Sequence, residues 1–333
     1  MVIIIPAFIS FILTPLNIIF SKKAGLIDDP SKNKHPKVIH KHPIVRGGSL
    51  AIFISMLISI LLFTKINLQV AAIIVSSLII LITGLLDDKY NLSPYPRLII
   101  QFLAASIPIA TGLTITFITN PGGGTLNLPS IAGTTFTIFW IVFLMNGLNF
   151  GAKGVDGQLS GVVIIAAITI YFLSIKVGAD NSQIPIQTLA LILAGAFLGF
   201  LPWHIYPQKI MPSWGGSNLA GLLLGILSIA GTAKVGTLLV VLAVPLVDTG
   251  FVLIRRILSG KSPFWGDRSH LHHRLLDKGH LTIPQVALFY WAASAILGLI
   301  SLSLDTKSLV FTIIGVTIFV GGLILWLTYK PKL

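Results

Sequence analysis

The sequence predicts an all-α, polytopic integral membrane protein, and three observations predict it. Of its 333 residues 54% are hydrophobic and only 10% charged, against about 25% charged in soluble domains, and the mean hydropathy is +0.93. Apolar runs of roughly 20 residues, the length that crosses about 30 Å of hydrocarbon, recur along the whole chain. Lys and Arg collect in alternate gaps between those runs, the asymmetry that orients membrane helices. An ordinary soluble domain is excluded, and nothing in the pattern suggests a nucleic-acid partner.

Taken in order, apolar spans are expected near 2–20, 47–64, 68–86, 97–117, 131–149, 158–176, 186–203, 217–233, 235–254, 284–303 and 308–328. That makes about eleven transmembrane helices in one domain over 1–333, with the 217–254 stretch the hardest to divide. The first run has no basic residue before it, is followed by Lys22 and Lys23 and lacks a small-residue cleavage site, so it reads as a retained span. With the N-terminus outside, the gaps 20–46, 87–97, 150–157, 204–216 and 255–283 and the C-terminal tail face the cytoplasm. They hold 19 of the 23 Lys and Arg residues, leaving Lys65, Lys176, Lys234 and Lys307 on the other face. The expectation is therefore N-out and C-in. A net charge of +13 serves that topology and also attracts polyanions or anionic lipid. Small-xxx-small spacings at Gly195/Gly199 and Gly221/Gly225 predict close helix approach. The uncharged stretch 119–129 reads as an external turn. The absence of cysteine excludes disulfides, thiolate chemistry and Cys-based metal sites.

All ten acidic residues are Asp, and eight fall on the expected cytoplasmic side. Asp87-Asp88 closes an apolar run and puts two carboxylates where a membrane helix meets water. Charges at that depth are usually retained for ion, phosphate or substrate handling; helix capping is the bland alternative. Adjacent carboxylates offer a general base or a divalent-metal site, and because consecutive helical side chains diverge, one can face the site while the other faces a basic or backbone partner.

Four further polar segments share that face. Lys37, His40 and Arg46 precede Gly47-Gly48 at a helix start, where charge and free backbone N–H groups suit a phosphate. Asn146 and Asn149 share a helix face ahead of a Gly-rich turn, 153–157, that supplies a cation in Lys153, a carboxylate in Asp156 and accessible backbone N–H groups. The segment 202–218 is aromatic and glycine-containing, and a kinked connector would look the same. The last segment, 255–275, brings His270, His272 and His273 beside Arg268 and Arg274. Without Cys or Glu, and with arginines that repel a cation, it favours a diphosphate over a zinc-like ion. Asp248 is expected at a helix end near Arg255.

The order of these segments resembles the polyprenyl-phosphate N-acetylhexosamine-1-phosphate transferases, the glycosyltransferase family 4 superfamily that includes phospho-N-acetylmuramoyl-pentapeptide transferase. Lys37, His40, Pro43 and Arg46-Gly47-Gly48, Gly84-Leu-Leu-Asp87-Asp88-Lys89, Asn146, Asn149 and Asp156-Gly157, and His270-Leu-His272-His273-Arg274-Leu275 stand in the family's order from about Gly25 to Leu276. The His-x-His-His form is similar to the N-acetylglucosamine branch. The resemblance implies transfer of a sugar 1-phosphate from a UDP-sugar to undecaprenyl or another polyprenyl phosphate. UMP is released, magnesium or manganese assists, and the reaction takes place at the cytoplasmic face of the plasma membrane as the first membrane step of cell-wall or surface-polysaccharide synthesis. A second copy of the chain is a candidate partner. Asp87, Asp88 and Asp156 become the catalytic and metal-binding candidates. Lys37, Arg46, Asn146, Asn149, Lys153, His270, His272, His273 and Arg274 become the substrate-binding ones.

Three positions depart from the family pattern: Asn91 and Lys153 stand where it has acids, and Trp214, in Ser213-Trp214-Gly215-Gly216-Ser217, stands where it has its metal-binding Asp. Either Asp87, Asp88 and Asp156 take over the ion, or Lys153 replaces some of its charge, or activity is lost. Two rival readings follow, an inactive relative that binds prenyl phosphate or a partner enzyme, and a transporter. The transporter is disfavoured because the polar residues collect on one face and leave the membrane midplane without a charged path. A reporter fused after Lys332 is expected to be cytoplasmic and one inserted at Gly123 external, from the Lys/Arg asymmetry; a cytoplasmic Gly123 would invert the map.

Overall fold

A computed structural model describes residues 1–31, 38–120, 122–177, 183–230, 235–263, 266 and 268–329. Lys37 lies outside them. The described chain folds into helices α1 (Ile4–Lys23), α2 (Ser49–Phe63), α3 (Leu68–Tyr90), α4 (Pro94–Ala110), α5 (Ser130–Gly151), α6 (Gln158–Val177), α7 (Ile184–His204), α8 (Ser213–Ile229), α9 (Val235–Val241), α10 (Ala243–Leu258), α11 (Leu271–Asp277), α12 (Ile283–Ser301) and α13 (Thr306–Tyr329). Two small antiparallel ribbons complete it, β1 (Ile27–Asp28) with β2 (Ile44–Val45) and β3 (Phe117–Thr119) with β4 (Thr125–Asn127). The second ribbon spans the stretch read as a turn.

Seven of these helices, α1, α3, α5, α6, α7, α12 and α13, are long and apolar enough to cross a membrane, and α9 with α10 makes an eighth if that pair, bent by 81°, is one span. The chain is thus a multi-pass membrane protein, and among the described residues seven or eight helices have that length where eleven spans are expected. The differences have physical causes. With 15 and 17 residues, α2 and α8 reach only about 22–25 Å at 1.5 Å per residue. Helix α4 carries Arg97 in its first turn, and the 235–254 run breaks at Leu242.

Helix α8 is the axis of the bundle, since every residue from Ser213 to Ile229 is buried. A helix apolar all round can only sit inside its neighbours. Gly221 and Gly225 lie against the backbone and side chain of α5 at Met145 and Ile141, and Gly195 and Gly199 of α7 against the α1 carbonyls of Ile3 and Ala7. The predicted close approaches are therefore real.

One such approach positions the site. A Cβ on Gly84 would stand 2.5 Å from Gly215 Cα, so α3 and α8 touch backbone to backbone where α8 begins. Residues 87 and 88, one turn further along α3, are thereby held next to Ser213 and Trp214. Gly84→Ala is expected to cost about 1–3 kcal/mol through overpacking and to lower the thermal midpoint in detergent. Gly250→Ala, whose Cβ would meet nothing within 4 Å, serves as the control, and equal midpoints for the two variants would refute this account of the crossing.

Candidate active site

The site is built at one set of helix ends. Helix α3 stops where Asn91 adopts a left-handed conformation (φ 49°) and its N–H donates to the Asp87 carbonyl. The last turn buries both carboxylates, Asp87 at 3% and Asp88 at 4% exposure. Arg97, at the start of α4, donates through Nη1 to Asp87 Oδ1 at 3.0 Å and Oδ2 at 3.1 Å. Arg46 sets Nε 3.0 Å from Asp88 Oδ1 and Nη2 4.0 Å from Asp87 Oδ2, and its Nη1 donates to Asn91 Oδ1 at 3.0 Å. Removing one partner of a buried ion pair typically costs about 3–5 kcal/mol, so these contacts fix the carboxylates firmly. Arg46 is itself fixed by β2, its N–H donating to Leu26 O at 2.9 Å.

The Gly47-Gly48 pair does not present free amides. Gly48 N donates to Met211 O at 2.9 Å and Gly47 N to Ser213 Oγ at 3.4 Å, so the start of α2 is spent on the connector to α8. That connector proves to be a structural clamp. Gln208 donates to Asp156 from its backbone N at 3.1 Å and from Nε2 at 2.7 Å, and Met211 N donates to Val45 O at 2.8 Å.

The two asparagines separate in role. Asn146 donates to Gln101 Oε1 at 2.9 Å, and Gln101 in turn bonds Asn218, a polar knot among α4, α5 and α8. Asn149, one turn on, accepts from Lys153 Nζ at 2.6 Å and from Ser217 Oγ at 3.0 Å. The turn after α5 offers fewer backbone donors than its glycines suggest, because Gly154 N and Val155 N both donate to Gln158 Oε1, at 2.9 and 3.1 Å. Gly154 has a packing reason instead: the His272 ring occupies the space a Cβ would need.

Asp248 corrects the sequence expectation. It lies inside α10, fully buried, and holds the histidine segment, with Oδ2 2.9 Å from His270 Nδ1 and Oδ1 accepting from Leu271 N at 2.7 Å. The break before α10 puts it in the second turn of that helix, where sequence alone placed a helix end. His270 and His272 stack with rings 5.6 Å apart. Burial, with the neighbouring His273, His270 and Arg268, holds His272 well below its ordinary pKa, so this imidazole is a neutral hydrogen-bonding group. Burial raises Asp156 above the usual carboxylate value against the Gln208 hydrogen bond.

A cavity of about 310 Å³ gathers these parts: Arg46, Asp87, Arg97, Asn149, Lys153, Asp156, Trp214, His270, His272 and His273 all line it, with His40, Gln208 and Arg256. Asp88 lies behind Arg46, and Asn146 is one turn deeper. Arg274 faces elsewhere, donating to Ser269 O and Thr328 Oγ1 and lining a separate basic cavity of about 320 Å³, while Arg268 is paired with Asp277. Arg268 and Arg274, which flank the histidines, therefore turn away from the cavity, while Arg256 of the same segment lines it. The arginines that serve it include Arg97, which sequence reading passed over. The signal was a guanidinium opening an otherwise apolar helix ten residues after Asp87.

Magnesium takes oxygen ligands, commonly one or two carboxylates with substrate phosphates and water. Here Asp87 and Asp88 each carry a guanidinium at 3.0 Å, and Asp156 carries Gln208. Among the described residues no group of three or more His, Cys, Asp or Glu side chains comes together to hold a metal ion, and Trp214 has no oxygen to offer. A metal held by three or more protein side chains does not fit among the described residues, whereas Asp88, whose two buried oxygens have no hydrogen-bond partner, would suit an ion that takes most of its ligands from substrate phosphates and water.

The sequence model described as glycosyl transferase family 4 matches residues 70–232. A probable undecaprenyl-phosphate N-acetylglucosaminyl 1-phosphate transferase of Bacillus subtilis is 34% identical over 277 residues, covering 80% of this chain and 74% of the relative. A decaprenyl-phosphate N-acetylglucosaminephosphotransferase of Mycolicibacterium smegmatis is 29% identical over 316 residues, 85% and 78% of the two chains. A putative UDP-N-acetylglucosamine–dolichyl-phosphate N-acetylglucosaminephosphotransferase of Saccharolobus solfataricus is 27% identical over 330 residues, 92% and 97%.

The lowered His272 pKa carries a pH signature. Above its ordinary 6.5 the imidazole is neutral both folded and unfolded and contributes nothing. As pH falls below that value the unfolded chain takes up the proton and the folded site resists it, so stability is lost on acidification. Asp156 works in the opposite sense, its burial cost being relieved as pH falls toward 3.8. Between about pH 7.5 and 5.5 the thermal midpoint of the wild type is expected to fall further than that of His272→Asn. Parallel curves would show that His272 protonates freely in the fold.

Proposed function

Because the chain belongs to glycosyl transferase family 4, we propose that it transfers N-acetylglucosamine 1-phosphate from UDP-N-acetylglucosamine to a polyprenyl phosphate, releasing UMP. The observation that carries this reading is the convergence of five polar segments, separate in sequence, on one cavity with cations, carboxylates and imidazoles on its wall. Phosphoryl transfer between two anions asks for alignment and charge neutralisation more than for covalent help, and that wall is suited to both.

In this reading an oxygen of the polyprenyl phosphate attacks the sugar-bearing phosphorus of the donor. The bond from that phosphorus to the bridging oxygen breaks, the electron pair leaves with UMP, and the sugar keeps its own C–O bond. Asp87, held by Arg97, orients the acceptor phosphate or takes its proton. Arg46 offsets the charge of both carboxylates, Asn149 and Asp156 line the nucleotide end, and His270, His272 and His273 hydrogen-bond the diphosphate or sugar. The Lys/Arg asymmetry supports a cytoplasmic opening for the cavity, the side on which UDP-sugars are found, and the product is the first membrane-bound intermediate of a cell-wall or surface polysaccharide. The engagement of both carboxylates by arginines favours one alternative, an inactive relative that binds prenyl phosphate.

Purified protein with UDP-N-acetylglucosamine and undecaprenyl phosphate is expected to release UMP. Asp87→Asn and Asp88→Asn are each expected to slow release by at least about a hundredfold while the protein still expresses and elutes as a folded species. Near-normal rates in both variants would remove the assigned roles, and no UMP from the wild type would favour the inactive relative.

A further inference from the structure

We propose that the basic cavity between α10, α11 and the end of α13 is a second anion site, separate from the catalytic cavity, that takes the phosphate headgroup of an anionic membrane phospholipid. The inference does not depend on the transfer reaction proposed above.

The charge of the cavity is the first observation. About 320 Å³ in volume, it is lined by Arg255, Arg256, Lys261, Arg268, Arg274 and Lys278, with Asp277 the one carboxylate on its wall among the described residues. That carboxylate is already taken by Arg268, so a surplus of positive charge faces the opening. Four of the cations form a fixed frame. Arg256 donates to Pro263 O at 2.9 Å and Lys278 Nζ to Thr328 O at 2.7 Å, while Arg274 donates to Ser269 O and Thr328 Oγ1 and Arg268 to Asp277. The other two, Arg255 and Lys261, are exposed, and they are the donors assigned to the headgroup. The frame behind them adds its field.

The second observation is that the cavity opens beside surface suited to lipid. Helix α10 is bent by 81° from α9, and its two faces differ. Asp248, Val252 and Arg256 are buried, whereas Ile254, Ile257 and Leu258 are exposed at 60%, 62% and 82%. A helix with an apolar face outward and basic residues at its end is the pattern of a segment lying in the membrane interface, where Lys and Arg meet lipid phosphates. Helix α13 ends in exposed Trp326 and Tyr329, which flank in sequence the Thr328 that accepts from Arg274 and Lys278, and Trp and Tyr concentrate at that level of a bilayer. A free phosphate would answer the cations and leave these apolar side chains without a role. A phospholipid answers both, headgroup to the cavity and acyl chains to α10. Helix α11 joins the two cavities, with His272 and His273 on the catalytic one and Arg274 on the basic one, so a headgroup bound here rests against the helix that places the histidines.

The test is lipid binding to the purified full-length protein in detergent, read by native mass spectrometry, with phosphatidylglycerol and phosphatidylcholine of the same acyl chains. Each basic residue near an anionic membrane surface is worth roughly fivefold in partitioning. The wild type is expected to hold phosphatidylglycerol at least about tenfold more tightly than phosphatidylcholine. Arg255→Gln combined with Lys261→Gln is expected to weaken phosphatidylglycerol binding roughly tenfold to thirtyfold, with phosphatidylcholine binding and the thermal midpoint unchanged. Arg255→Lys combined with Lys261→Arg should keep the preference. Lys65→Gln combined with Lys307→Gln removes the same charge from exposed positions elsewhere and should bind as the wild type does. Equal affinity of the wild type for the two lipids, or an equal loss in the two charge-removing pairs, would overturn the inference. Inorganic phosphate that displaces phosphatidylglycerol at matching concentration would overturn it in favour of a free-phosphate site. Joint loss of undecaprenyl phosphate and phosphatidylglycerol binding in the Arg255→Gln, Lys261→Gln protein would overturn it by making the cavity part of the acceptor site.

Discussion

Two carboxylates buried at the end of a membrane helix have to be offset by nearby cations, and that requirement sets the placement of the elements around them. Asp87 and Asp88 are nearly water-free, and an unpaired charge in such surroundings costs several kcal/mol even after relaxation. Arg97 reaches Asp87 from the next helix and Arg46 reaches both acids from the β1–β2 ribbon. The pairing ties α3 to α4 and to the segment before α2, so the charge problem of one helix sets the relative placement of three elements. Glycine at positions 84 and 215 completes the arrangement by letting α8 approach the same turn of α3.

The rest of the cavity is organised by the same requirement that buried polar groups find partners. Asp156 is held by Gln208, Asp248 by His270 and Leu271 N, and Asn149 by Ser217 and Lys153. Each of these pairs joins residues from different parts of the chain, apart from the Asn149–Lys153 turn. The consequence is a pre-organised wall in which few groups need to move when a polyanion arrives, the condition under which electrostatic stabilisation is most effective. His272, which burial keeps neutral, supplies hydrogen bonds, and the positive charge is concentrated on Arg46, Arg97 and Lys153.

Much of this was legible in the chain. Hydropathy alone established a polytopic helical protein, since backbone polar groups in lipid must be satisfied within helices. The spacing of Gly195/Gly199 and Gly221/Gly225 pointed to helix contacts that exist. Asp87, Asn149, Lys153, Asp156 and the histidines stood out because polar residues near membrane ends are few, and the structure brings them together. Helix length was less legible, because a bend at Leu242 and short helices such as α2 leave hydropathy unchanged. Arg97 and Gln208 were hidden for a different reason: each looks like an ordinary residue of its own segment, and its importance lies in a partner far away in sequence.

The sequence by itself determined the class of fold, the family pattern and the composition of the polar segments, because these depend on residue type and local order. Only the tertiary structure decided which groups still have a hydrogen bond or a charge to give. It spent the glycine amides on Gln158, Met211 and Ser213, turned Arg268 and Arg274 away from the cavity, and set guanidinium groups on the carboxylates expected to hold a metal. The physical reason is that a polar atom's availability is set by its neighbours in space, and those neighbours come from helices that sequence order does not place side by side.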